Sequence, residues 1–183
     1  MILLPLVLAA ASPQLAWREP IYIFAGFSGI IAMGVMLIQP LLATAALPAI
    51  AMARSRRLHR LCGLILVIAV LAHVAGLWLT SPPDVIDALT FTSPALFSVW
   101  GVIAMWAVFA AAGLVAIRRI WRLRWRTWRL GHIALVSIAV VGSVAHVVPI
   151  QGTMEFYSKL ALCAALIAAT GYAAGKAVIG QRR

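Results

Sequence analysis

The stretch RRLHRLCGLILVIAVLAHVAGLWLT, residues 56–80, decides the fold. Past Arg60 it stays apolar through Leu79, about the twenty positions an α-helix needs to cross a bilayer core. Two histidines, His59 and His73, interrupt it. The stretch WRLGHIALVSIAVVGSVAHVV, residues 128–148, repeats the pattern with His132 and His146. These four are all the histidines of the chain, and both pairs are 14 residues apart. On an α-helix that spacing advances roughly 21 Å and returns to within about 40° of the starting direction. Each helix therefore carries two histidines on one face, one near each membrane surface.

Composition agrees with a membrane chain. Apolar residues make up 64% of the 183 positions and charged residues 10%. A soluble domain of this size carries far more charge. Six apolar segments follow from the pattern, at about residues 1–17, 20–46, 56–80, 95–118, 127–149 and 156–177. The expected architecture is a single all-α membrane domain, a six-helix transmembrane bundle. Its first segment is short, lacks the basic start of a secretory signal and ends near Trp17. Pro40 should kink or end the second helix.

The net charge of +11 does not indicate nucleic acid, because the basic residues gather at the ends of apolar segments. Arg54, Arg56, Arg57 and Arg60 precede or open the third helix. Arg118, Arg119, Arg122, Arg124, Arg126 and Arg129 surround the loop before the fifth. Lys176, Arg182 and Arg183 close the chain. An excess of Lys and Arg marks the cytoplasmic side. Arg18 and Lys159 fall on the other side, with Glu19, Asp84, Asp87 and Glu155. Both termini are expected in the cytoplasm if the first segment spans.

The third and fifth helices are separated by one helix, so they run parallel. His59 should then meet His132 at the cytoplasmic level, and His73 should meet His146 at the opposite level. Ionisable residues inside a membrane are rare, costly and usually functional. His59 and His132 are close enough to a surface to be interfacial, whereas His73 and His146 lie deep in apolar runs. Zinc takes about four ligands in one place, and two histidines per level undersupply it. Haem iron needs only axial ligands, since the porphyrin supplies four nitrogens. Two imidazoles leave no open position, so such a centre passes electrons. The expected cofactors are two b haems stacked between the third and fifth helices, with all four histidines as metal ligands. No Cys-x-x-Cys-His occurs, which excludes covalent haem attachment of the c type. Cys62 and Cys163 both lie inside apolar segments, so no disulfide is indicated.

Haem propionates want cationic or hydrogen-bonding partners. Arg57, Arg60, Arg126 and Arg129 lie within a turn or two of His59 or His132 and are the candidates there, although membrane topology alone accounts for most of them. On the opposite side the candidates are Arg18, Lys159, Thr80, Ser81, Gln151 and Tyr157. Gly63, Gly76, Gly131 and Gly142 lie near the histidines and suit a flat macrocycle, or ordinary helix packing. Gly171 and Gly175 have GxxxG spacing. The tryptophans among the arginines read as an interfacial belt, with a docking surface or electron entry route as the second reading.

The run Arg56-Arg57-Leu58-His59-Arg60-Leu61-Cys62-Gly63 with His73, and Trp128-Arg129-Leu130-Gly131-His132 with His146, resembles the ferric reductase-like transmembrane domain. The resemblance spans about residues 20–176. That family includes eukaryotic NADPH oxidases, ferric reductases and stand-alone bacterial membrane subunits. It implies b-haem ligation by the four histidines and electron flow from a cytoplasmic donor, often NAD(P)H through FAD, to an acceptor across the membrane. No GxGxxG follows a strand, so the chain is not expected to turn over NAD(P)H alone. A separate flavoprotein carrying FAD or FMN, or another cytoplasmic donor, is the expected partner. An acceptor protein or metal ion is expected on the far side of what would be a bacterial inner membrane. One similar system serves a periplasmic methionine sulfoxide reductase. The alternatives are a quinol-linked di-haem cytochrome b, for which Gln39 beside Pro40 is the one obvious polar group, and a haem carrier or sensor without turnover. A substrate transporter is disfavoured by the scarcity of polar residues inside the helices.

Overall fold

The computed structural model describes residues 3–118 and 120–179. All regular elements among them are helical. They are α1 (Leu3–Ala10), a 3-10 turn (Pro13–Trp17), α2 (Pro20–Ala43), α3 (Met52–Thr80), α4 (Pro82–Leu89), α5 (Leu96–Ile117), α6 (Trp125–Val147) and α7 (Phe156–Ile179). The shortest of α2, α3, α5, α6 and α7 is α5, with 22 residues. Its rise is about 33 Å, against roughly 30 Å of bilayer hydrocarbon. The chain is an integral membrane protein, with five apolar helices of spanning length among the described residues.

The first segment does not supply a sixth span. It folds as the eight-residue α1 followed by the 3-10 turn, and eight residues rise only about 12 Å. Ala9 and Pro5 are buried and α1 packs on α2 and α7, so the segment caps the bundle. Five crossings put the start of α2 and the end of α7 at opposite faces. The expectation of both termini on one face rested on the sixth span. Arg119, Arg182 and Arg183, counted above on the basic face, lie outside the described residues.

Proline and the chain reversals fix the helix ends. Pro20 and Pro82 open α2 and α4, where a missing N–H costs no helical hydrogen bond. Pro40 does not stop α2 at once. The helix runs three residues further, and the Thr44 N–H and hydroxyl both donate to the Pro40 carbonyl, at 3.1 and 2.8 Å. Ala45 then turns left-handed with φ 49°. The Ala46 N–H bonds back to the Leu41 carbonyl at 2.9 Å, the six-to-one closure of a Schellman end.

Two antiparallel hairpins, α2 with α3 and α5 with α6, make the largest interfaces, and α7 joins them through α2 and α6. The histidines ride on α3 and α6, yet those two helices make almost no close backbone contact with each other. Packed helices normally approach to 8–10 Å. The histidine helices therefore stand apart across the bundle, each held by its own hairpin partner.

The apolar core fills the middle of the bundle. Ala32, Met33 and Met36 of α2, Leu66 and Ala69 of α3, Val108 of α5, Ala139 and Val140 of α6 and Leu166 of α7 belong to it. Leu66 lies midway between His59 and His73, and Ala139 midway between His132 and His146. The core is thus a dry layer separating two histidine levels. Leu61, Leu64, Ile68 and Leu79 of α3 are 53%, 58%, 55% and 69% exposed. They form one stripe, on the side of α3 opposite its histidines by helical rotation. That stripe is the lipid face.

Candidate functional site

At the level nearer the acidic face, His73 and His146 meet. Their ring centroids are 6.5 Å apart and their planes nearly perpendicular, at 77°. Both rings are fixed from behind in the same way. Nδ1 of His73 donates to the Ala25 carbonyl of α2 at 2.8 Å, and Nδ1 of His146 donates to the Phe97 carbonyl of α5 at 2.8 Å. A carbonyl only accepts, so Nδ1 must carry the proton. In a neutral ring Nε2 then holds the free lone pair and faces away from the anchoring helix. Such a bond from the second nitrogen is how proteins usually orient histidine ligands.

Each ring rests on a glycine one turn beyond its carbonyl. A Cβ on Gly29 would stand 3.1 Å from His73 Nδ1, and a Cβ on Gly101 would stand 2.7 Å from His146 Nδ1. Gly76 and Gly142 serve the helix contacts instead: a Cβ there would meet the Ala25 Cβ at 2.8 Å and the Trp100 carbonyl at 3.0 Å. The hairpins are close to repeats of one another. The bond from histidine to carbonyl spans 48 positions in the first and 49 in the second.

The arginine-side level is built less symmetrically. His59 Nδ1 lies 3.1 Å from the Gln39 main-chain carbonyl. The Gln39 side-chain amide lies against the same histidine, with one terminal atom 2.7 Å from Nδ1 and the other 2.8 Å from the Gly63 nitrogen. His132 is within electrostatic reach of His59. Its Nδ1 is buried and has no hydrogen-bond partner among the described residues. Stacking holds the ring instead. Trp128 lies over His132 at 5.6 Å and 11°, and Trp125 lies 5.0 Å beyond. The Arg118 guanidinium covers both indoles, 4.3 Å from the centroid of Trp128 and 4.8 Å from that of Trp125.

The expected propionate partners are scattered. Arg57, Arg60 and Arg126 are exposed and Arg129 is half-buried. None of the four is hydrogen-bonded or ion-paired among the described residues. Arg18 covers the Tyr22 ring at 4.8 Å. Lys159 is only 4% exposed, and its ammonium donates to the Ile150 carbonyl at 2.7 Å. The Thr80 hydroxyl is turned back onto its own helix, and the Ser81 hydroxyl bonds Asp84 at 2.6 Å. Gln151 is exposed and Tyr157 is 78% exposed. A groove of about 350 Å³ between α2 and α3 is lined by Pro20, Phe24, Gly76 and other apolar residues, but no histidine opens into it.

Sequence reasoning missed Gly29, Gly101 and the two carbonyls behind the rings. It gave the tryptophans as an interfacial belt first and a docking surface second, and named Gln39 only as the one polar group of a quinol-linked alternative. The near-equal offset between glycine and histidine, 29 to 73 and 101 to 146, was the available signal.

Among the described residues no group of three or more His, Cys, Asp or Glu could hold a metal ion. A porphyrin iron asks the protein for only two. The lone pairs left on Nε2, the spacing of the two rings and the parting of α3 from α6 fit that group. No curated protein and no solved structure matches the chain. The family model described as ferric reductase like transmembrane component matches residues 28–143, a span that holds His59, His73 and His132 and stops three residues short of His146. Five spanning helices and that match make the chain a member of the ferric reductase-like transmembrane family.

Proposed function

We propose that the chain carries electrons across a bacterial inner membrane through two b haems, one held by His73 and His146 and the other by His59 and His132. Membership of the family makes it a transmembrane electron-transfer component. The finer reading rests on one observation above all, the 6.5 Å between the His73 and His146 ring centroids. A bond from a metal to a histidine nitrogen is about 2.0–2.1 Å. With the depth of an imidazole added on each side, two rings on one iron have centroids about 6.4 Å apart. The rings already stand at that distance.

Bound haem supplies a one-electron couple with every iron position filled. The protein does the rest. The Ala25 and Phe97 carbonyls hold the ring protons on Nδ1 and so keep both Nε2 lone pairs available. The mid-bundle layer around Leu66 and Ala139 excludes water between the two levels. Arg54, Arg56, Arg57 and Arg60 with the arginines of the α5–α6 loop make one face basic, which draws an acidic donor there. Electrons enter at that cytoplasmic face from a separate flavoprotein carrying FAD or FMN, or another donor, and leave at the acidic face to an acceptor protein or metal ion.

The quinol-linked alternative rests on Gln39 alone, whose amide lies against His59 and the Gly63 nitrogen. A haem carrier or sensor shares the same ligands and differs in turnover. The experiment is a pyridine haemochrome assay with visible and low-temperature EPR spectra on purified protein. Two b haems per chain with low-spin bis-histidine signals are expected. A haem content near zero, or a stable high-spin spectrum, removes the reading. Reduction of both haems by a flavoprotein donor within seconds separates electron transfer from carriage.

A further inference from the structure

We propose that Gly29 and Gly101 are positioning residues for the centre near the acidic face: each is the bare patch of helix on which one imidazole rests, and a side chain there would push that imidazole out of line. The inference rests on the ligand role proposed for His73 and His146 and adds what places their rings.

The geometry is the same on both sides. In α2 the Ala25 carbonyl accepts the His73 Nδ1–H, and the residue one turn later is Gly29. In α5 the Phe97 carbonyl accepts the His146 Nδ1–H, and the residue one turn later is Gly101. An α-helical carbonyl already accepts the N–H four residues on, so the histidine takes its second lone pair. That lone pair is reachable only if the ring comes down onto the helix surface beside the later residue. A Cβ at Gly101 would meet His146 Nδ1 at 2.7 Å, Cε1 at 2.9 Å and Cγ at 3.1 Å. At Gly29 the corresponding distances to His73 are 3.1, 3.3 and 3.7 Å. In both cases the three nearest atoms belong to the histidine alone. Neither glycine has a positive φ, so each is there for space and not for backbone freedom.

Two helices thus back the pair from opposite sides. α2 sets His73 and α5 sets His146, and the gap between the rings is what the glycines leave. Alanine at 101 must move the ring by a good fraction of an ångström away from α5, which breaks the Phe97 bond and the alignment of Nε2. Alanine at 29 demands a shift of a few tenths of an ångström.

The test compares Gly101→Ala and Gly29→Ala with Gly113→Ala, a glycine of the same α5 whose Cβ would meet nothing within 4 Å. Gly113→Ala should keep wild-type haem content and low-spin spectra. Gly101→Ala should lose half of the bound haem, or turn one of two low-spin signals high-spin. Gly29→Ala should shift or broaden one low-spin signal with a smaller loss. A readout independent of haem comes from the thermal midpoint of haem-depleted Gly101→Ala, in an otherwise wild-type and in a His146→Ala background. Removing the ring removes the clash, so the alanine should be destabilising only where His146 is present. This holds even if Gly101→Ala alone fails to fold, because the double variant then recovers. Wild-type spectra in Gly101→Ala, or an equal loss of stability in both backgrounds, overturns the positioning role. Absence of haem from the wild type instead overturns the ligand reading, while the thermal comparison still tests the packing.

Discussion

Trp128 lies flat over His132, with ring centroids 5.6 Å apart and planes 11° from parallel. His73 and His146 are oriented by a carbonyl on Nδ1, whereas His132 is oriented by a stacked indole. An aromatic pair contributes about 1 kcal/mol beyond its buried area, equivalent to roughly fivefold in an equilibrium constant. Trp128→Leu should therefore weaken haem retention at the arginine-side centre by roughly that factor, and Trp128→Phe should largely restore it. Haem loss to an apomyoglobin trap measures this. If both variants retain haem as the wild type does, Trp128 is only an interfacial anchor.

His73→Ala and His146→Ala should empty the same centre, and the double variant should lose no more haem than either single. The two rings face one another across the bundle at 6.5 Å, so each variant removes one ligand from one site. His59→Ala should remove the other signal. Redox titration with EPR distinguishes the centres. The pairing is wrong if His73→Ala and His132→Ala abolish one and the same signal.

Gln39 and the tautomer of His59 are linked. If the amide oxygen faces Nδ1, the ring proton is shared between two oxygens of Gln39 and Nε2 stays free. If the amide nitrogen faces it, Nδ1 must accept, the proton moves to Nε2 and the ring is lost as a ligand. Gln39→Met keeps the main-chain carbonyl and removes the second possibility. The arginine-side centre should survive with haem affinity lowered by about fivefold at most, the value of one net hydrogen bond. Complete loss of that centre in difference spectra would mean that the side chain, and not the carbonyl, sets the tautomer.

Glu155 caps α7. Its carboxylate accepts the Ser158 N–H at 2.6 Å and the Tyr157 N–H at 2.8 Å. These bonds, Ser158 first and Tyr157 next, hold its pKa below the ordinary value of 4.5, with desolvation opposing them. A depressed carboxyl stabilises the fold above its unfolded pKa, and the contribution is lost as pH falls through the lower folded value. The thermal midpoint of the wild type should exceed that of Glu155→Gln at neutral pH, and the difference should shrink as pH drops below about 4.5. A difference independent of pH would mean that the charge is not what caps the helix.

Much of the site was legible in the sequence because a helix converts spacing into direction. His59 and His73 had to share a face of α3, and the parity of crossings made α3 parallel to α6. The two levels followed from those facts alone. The first segment was misread because its apolar character said nothing about length, and eight helical residues cannot cross a bilayer. The contact of Gln39 with His59 was not legible, because a polar group inside an apolar helix announces a partner without naming it. Gly29 and Gly101 went unnoticed because glycine is ordinary in membrane helices, and nothing local in either sequence names a histidine more than forty positions away.

The sequence by itself determined the membrane class, the five long apolar helices, the segregation of charge to two faces and the placing of four histidines in two registers. Those are local properties, set by hydropathy, by the 3.6-residue repeat and by the cost of a charge in lipid. Only the tertiary structure decided which helix stands behind each ring. That choice depends on how close two backbones can come, and closeness is a property of pairs of residues far apart in the chain. It fixed Ala25 and Phe97 as the carbonyls that hold the ring protons, Gly29 and Gly101 as the surfaces the rings rest on, and the separation of α3 from α6 that leaves His73 and His146 facing each other.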